Sequence, residues 1–154
     1  MSHFTHVATK IKDKALLIES LKELGFNALE AREGAELPLF NYRGQITSNA
    51  HISVSRDQIH GLANDLGFRL VDDCYKVIIS EWDSAHGKGK PGQGLGPGFV
   101  NQLMATYARK LVGQIVEQRV AQGAVVTARE TLPDGTIKVR MTLPKTNQRI
   151  GARR

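Results

Sequence analysis

Polar and apolar residues alternate loosely over residues 2–11, with Phe4 and Val7 toward one end and Ile11 closing the run, and this period predicts a strand. Asp13 follows as a helix cap, its carboxylate suited to accept from free backbone N–H groups. Leu17, Leu21 and Leu24 then recur at helical spacing with Leu16 beside them, and Gly25-Phe26 reads as a stop, so a helix is expected over 13–24. From Asn27 to Asn49 the pattern is irregular, punctuated by Pro38, Asn41 and Gly44, with Asn41-Tyr42-Arg43-Gly44-Gln45 as a turn. Regularity returns at 50–59, where Ile52 and Val54 alternate with Ser53 and Ser55 in the manner of a half-buried strand. Residues 66–71 and 74–82 predict two more strands, joined tightly through Asp72-Asp73, a connection where glycine is the more usual residue.

A glycine-rich segment over 86–98 is too dense in glycine for any regular element and predicts a loop. Beyond it Phe99, Leu103, Tyr107, Leu111 and Ile115 fall four apart, which predicts a long helix ended by Gly123. Asp134-Gly135 then signals a hairpin. A two-residue loop there pairs Leu132 with Ile137, Ala128 with Met141 and Val126 with Leu143, gathering the apolar residues on one face, whereas a three-residue loop mixes the faces. Two helices and about six strands with antiparallel hairpins imply the α+β class, as a two-layer sandwich of a mainly antiparallel sheet with two helices. A single domain over 1–144 is expected, with a basic tail over 145–154.

Composition supports a folded chain and narrows the setting. With 154 residues and 41% hydrophobic residues, the chain has the material for one real core. No apolar run approaches the roughly 20 residues that span a bilayer, and the first residues lack a signal-peptide pattern. The one cysteine, Cys74, forms no internal disulfide, so a soluble, cytoplasmic, reducing setting is expected, with the oligomeric state left open. Charge changes the picture more. Residues 1–82 hold 9 Lys+Arg against 11 Asp+Glu, a net of −2, while residues 83–154 hold 12 against 4, a net of +8. A cationic half of this kind suits an anionic partner, nucleic acid first, or serves solubility alone.

Several short motifs stand in a telling order: the Met1-Ser2-His3-Phe4 opening, Tyr42-Arg43-Gly44-Gln45, Leu66-Gly67-Phe68, the strand ending in Trp82, and Asp134-Gly135-Thr136-Ile137. Together they resemble the hypothetical chloroplast reading frame thirty-five family, a domain of unknown function with plastid, cyanobacterial, bacterial and phage members. The resemblance spans most of the chain. It departs at the longer glycine-rich loop and at the tail Lys145 to Arg154, and it implies a fold and a lineage without bringing any catalytic residue.

Candidate chemistry is sparse. Gly87-Lys88-Gly89-Lys90-Pro91-Gly92 has the letters of a dinucleotide fingerprint, but Pro91 and further glycines separate it from the helix, and the strand that follows belongs to a hairpin. What survives is either a flexible linker or an anion site, with backbone N–H groups around Lys88, Gly89 and Lys90 and a helix N-terminus nearby to hold a small phosphorylated ligand. In the two-residue register Arg129 lies opposite Arg140, like charges facing each other, and Thr131 opposite Lys138, as on a surface built for phosphates, or on an ordinary solvated face. Lys145, Arg149, Arg153 and Arg154 extend that charge, making seven candidate nucleic-acid contacts with Arg129, Lys138 and Arg140. Tyr42, Arg43 and Trp82 are candidates for a protein partner, the second reading of a non-enzymatic accessory protein. The histidines are scattered and Cys74 follows two aspartates, so no cofactor, metal or catalytic set is expected.

Overall fold

The structure, a computed structural model, describes residues 3–133 and 136–143. Its elements run β1 (Phe4–Ala8), α1 (Lys14–Glu23), β2 (Leu29–Glu30), β3 (Leu37–Phe40), β4 (Ile46–Ala50), β5 (Ile52–Val54), α2 (Arg56–Ile59), β6 (Leu66–Val71), β7 (Cys74–Ser80), α3 (Glu81–Ala85), α4 (Phe99–Ala121), β8 (Val125–Thr131) and β9 (Ile137–Thr142). The α+β class is borne out. An antiparallel sheet in the order β1-β7-β6-β5-β2 is joined by two separate two-stranded ladders, β3-β4 and β8-β9. The chain divides into two compact units, Met1–Met104 and Ala105–Arg154.

In the first unit the sheet is covered on both faces. Ladder partners share a face, so Ile52, Val54, Leu66, Phe68, Tyr75, Val77 and Ile79 form one apolar surface, all of it buried. Leu16, Leu17 and Leu21 of α1 are buried as well, as are Phe26 and Phe99, whose rings meet edge to face at 5.7 Å. Each such side chain taken fully from water stabilises the fold by about 1.5–3 kcal/mol. Asp13 caps α1 as its position suggested, accepting from the Leu16 N–H at 3.1 Å, and the helix ends at Gly25. On the other face the β3-β4 hairpin lies close, and Leu39, Ala50 and Ile78 form a buried cluster with Phe4 packed against it. Gly67 makes that approach achievable, since a Cβ there would stand 2.5 Å from Leu39 Cδ1 and 3.1 Å from Ala50 Cβ.

Five elements went unforeseen: β2, β3 and β4 in the irregular stretch, and the short helices α2 and α3. The segment around Pro38 is a strand because β3 lies in a two-stranded ladder, where a missing N–H is tolerated on the open edge. The strands expected over 50–59 and 74–82 both end early in short helices. Ser55 caps α2 by accepting from the Asp57 N–H, and Ser80 caps α3 by accepting from the Asp83 N–H. Ser80-Glu81-Trp82-Asp83 is a capping-box pattern that strand alternation obscured.

Asp72 and Asp73 connect β6 to β7 with φ of 52° and 69°. Both residues are thus left-handed, the conformation of a type I′ turn, which two adjacent carboxylates fill with strain and mutual repulsion. Replacing them with Asn-Gly (Asp72→Asn, Asp73→Gly) is expected to raise stability by about 0.5–1 kcal/mol. Urea unfolding midpoints for the two proteins provide the check.

Candidate functional site

The β8-β9 ribbon carries the cations singled out in the sequence, and its register differs from the expected one. The Leu132 N–H donates to the Thr136 carbonyl at 2.7 Å, and Thr131, Glu130, Arg129 and Ala128 pair with Ile137, Lys138, Val139 and Arg140. Proline explains the shift. A two-residue loop would close on a Pro133–Thr136 pair that needs an N–H from residue 133, which proline lacks. The ladder closes one residue earlier, and a bulge between Val126 and Ala128 shifts it by one more, setting Val126 opposite Met141. The expected like-charge pair, Arg129 with Arg140, is therefore absent. Arg129 lies beside Val139 on one face, while Lys138 lies opposite Glu130 and Arg140 opposite Ala128 on the other.

Every residue of β8 is exposed, as are Lys138 and Arg140, and the ribbon pairs with no further strand among the described residues. Arg129, Lys138 and Arg140 form no ion pair with a described residue. Lys145, Arg149, Arg153 and Arg154 lie outside the described residues. Charge follows the structural division: residues 1–104 hold 11 Lys+Arg and 12 Asp+Glu, a net of −1, and residues 105–154 hold 10 and 3, a net of +7.

The glycine-rich loop is pinned by backbone hydrogen bonds. Several of its N–H groups are donated within the chain. Lys88 bonds to Gln93 O at 3.1 Å, Gly89 to Gly94 O at 3.0 Å, and Gln93 to Lys90 O at 3.0 Å. Three more anchor it to its surroundings: Gly92 to Gln58 O at 2.8 Å, Gly94 to Ile59 O at 2.9 Å, and Gly96 to Asp83 O at 2.8 Å. Of the expected Lys88-Gly89-Lys90 site, the Lys88 and Gly89 N–H groups are thus spent on folding the loop, and both lysines face solvent.

Tyr42, Arg43 and Trp82 belong to a third locality that two buried polar residues organise. Asn41 Oδ1 accepts from the Arg43 and Gln45 N–H groups, both at 2.9 Å, and Gly44 turns the chain with φ of 77°. Arg43 sits over the Tyr42 ring, 5.3 Å from its centroid. The Tyr42 N–H donates to Asn64 Oδ1 at 2.9 Å, and Asn64 in turn donates through its backbone and side-chain nitrogens to Asp83 Oδ2, both at 3.0 Å. Asp65 accepts from the Phe40 and Arg56 N–H groups at 2.8 and 2.7 Å. Asn64 thus ties the Tyr42 turn to α3, which presents Trp82 at 57% exposure, stacked on His86 with ring centroids 3.8 Å apart. Sequence reading passed over Asn64 and Asp65 because isolated polar residues before a strand carry no periodic signal. Among the described residues no group of three His, Cys, Asp or Glu side chains is placed to hold a metal ion.

Residues 20–140 match the family described as "Protein of unknown function (DUF1257)". The chain belongs to this family. The match agrees with the resemblance to an uncharacterised domain drawn from the short motifs. Within this DUF1257 chain the matched span takes in the Tyr42 turn, Asn64, Asp83, the glycine-rich loop and the ribbon as far as Arg140. No curated protein and no solved structure matches the chain. No helix among the described residues is long and apolar enough to cross a membrane.

Proposed function

We propose that this protein is a non-enzymatic accessory factor that binds nucleic acid through its second unit. The observation behind this reading is the segregation of charge, +7 over residues 105–154 against −1 over the rest. Nucleic-acid affinity is dominated by cations that displace counterions from phosphates. An isolated two-stranded ribbon fits a nucleic-acid groove, and here it carries Arg129 on one face with Lys138 and Arg140 on the other, so each backbone flanking the groove meets a cation. A ribbon of this kind is also marginal by itself, and a ligand along it offsets that cost. The tail cations Lys145, Arg149, Arg153 and Arg154 add to the sequence-independent part of the affinity. A free Cys74 suits a reducing cytoplasmic setting.

The test is fluorescence anisotropy with labelled single- and double-stranded oligonucleotides across a salt series. Micromolar or tighter binding is expected at about 50 mM salt, falling steeply as salt rises. Reversing Arg129, Lys138 and Arg140 together to Glu is expected to weaken it about 100-fold and to flatten the salt slope by about 0.9 for each phosphate no longer neutralised. Unchanged affinity in the reversed protein, with its circular dichroism intact, refutes the assignment.

A second reading rests on the first unit, where Trp82 and the 68% exposed Leu62 stand on either side of Asn64 in sequence, and Asn64 holds the Tyr42 turn. On that reading Tyr42, Arg43 and Trp82 dock a polypeptide. A stoichiometric protein partner that survives nuclease treatment of the lysate favours it over the first.

A further inference from the structure

A cavity of about 510 Å³ opens in the first unit between the 31–36 turn and the helix-covered face of the sheet. That volume falls within the roughly 300–1,000 Å³ of small-ligand pockets. Tyr75 and Leu70, ladder partners on β7 and β6, form one wall; Lys14, at the start of α1, and His51 border it. All of these residues belong to the first unit, apart from the cationic second one.

The polar groups on this cavity divide into committed and uncommitted ones, and the division is lopsided. Lys14 is held by Glu30 at 2.5 Å, and Glu36 by Arg69 at 2.7 Å. His51 Nδ1 accepts from the Leu70 N–H at 2.9 Å, which places the imidazole proton on Nε2. That Nε2 lies 3.9 Å from Glu36 Oε1, too far for a hydrogen bond. Tyr75 is only 4% exposed, yet its hydroxyl donates to no described residue. No fully buried side-chain polar atom among the described residues lacks a partner, so that hydroxyl opens on the cavity. The Arg32 guanidinium likewise has no described partner. The uncommitted groups are thus three donors, a phenol, an imidazole N–H and a guanidinium, against one carboxylate, Glu33.

We propose that this cavity binds a small carboxylate, its oxygens accepting from the Tyr75 hydroxyl, His51 Nε2 and Arg32. Charge selects a carboxylate over a phosphate. Of the lining residues, Lys14 and Arg32 are balanced by Glu33 and Glu36, and a neutral rim tolerates one added negative charge better than two. Burial raises the pKa of Tyr75, keeping the phenol a proton donor at neutral pH, and the hydrogen bond that Lys14 donates to Glu30 raises that of Lys14.

Titration of the ¹⁵N-labelled full chain with acetate, propionate and inorganic phosphate tests this by amide chemical shifts. The carboxylates are expected to give saturable shifts at residues 31–36, 51, 70 and 75, with the ribbon amides unmoved. Tyr75→Phe, which keeps the ring and removes the donor, is expected to weaken binding about tenfold. Arg32→Gln, at a position with no ion pair to lose, is expected to weaken it several-fold. Absence of saturable shifts at these amides, tighter binding of phosphate than of either carboxylate there, or unaltered affinity in both variants overturns the proposal. The nucleic-acid reading is judged separately, since it depends on other residues.

Discussion

Asp83→Ala is expected to destabilise the protein by about 3–5 kcal/mol, a loss typical of breaking a buried charged network. Asp83 is 4% exposed, and its Oδ2 accepts from the Asn64 N–H, the Asn64 Nδ2 and the Ser80 hydroxyl, the last at 2.6 Å. Asn64 and Ser80 are each 1% exposed, so neither finds water when the carboxylate is removed. Unpaired buried donors cost about 1–3 kcal/mol apiece, and the sum is tempered by relaxation of the site. The damage also travels. Asn64 holds the Tyr42 turn, and the Asp83 carbonyl receives the Gly96 N–H of the glycine-rich loop at 2.8 Å. Urea denaturation followed by circular dichroism measures the loss, and a double-mutant cycle locates it. Asn64→Ala in the Asp83→Ala background is expected to cost much less than in the parent, because their shared bonds are already gone. A loss below about 1 kcal/mol, or full additivity, contradicts the role assigned to the carboxylate.

The contrast between elements that were legible in the sequence and those that were not follows from the range of the forces that fix them. Both long helices could be read because their signals are local: Asp13 at one end and Gly25 at the other for α1, an apolar residue every fourth position and then Gly123 for α4. The Asp72-Asp73 connection was legible for the same reason. The β3-β4 hairpin was not, since its burial comes from Gly67 on a strand far along the chain, which lets Leu39 and Ala50 approach the sheet. Nor was the ribbon register. Asp134-Gly135 is a strong turn signal, yet the deciding fact was a missing N–H one residue earlier, at Pro133.

The candidate sites divide along the same line. Charge asymmetry needs only counting, and it coincides with the structural division. Which cations share a face depends on one residue of register, and the shift separates Arg129 from Lys138 and Arg140. The cavity was invisible beforehand because Lys14, Arg32, His51 and Tyr75 come from four separate stretches that only the folded sheet and helix bring together. The glycine-rich loop read as slack because glycine count alone says nothing of where N–H groups go. Its hydrogen bonds to Gln58, Ile59 and Asp83 join residues that no sequence pattern pairs.

That loop gives the second large effect. Gly96→Ala is expected to cost about 4 kcal/mol, most of it from collision rather than from backbone preference. Gly96 has φ of 82°, a left-handed conformation that charges any L side chain about 1 kcal/mol. A Cβ there would also overlap the carbonyl oxygen of Gly87 and stand 2.7 Å from its carbonyl carbon. Both are backbone atoms, so no side chain swings aside. Gly87 is fixed by its bridge to Gly94, and Gly96 by its bond to the Asp83 carbonyl, while Leu95 between them is 1% exposed. Relief therefore requires the two runs of the loop to part and Leu95 to meet water. Gly92→Ala is the matched control, with φ of 77° and open space around its would-be Cβ. It bears the conformational penalty alone and is expected to lose about 1 kcal/mol. Thermal and urea unfolding of the two variants side by side separates collision from strain. Equal losses would mean that the loop yields at Gly87, and that its hydrogen bonds hold it less firmly than their geometry implies.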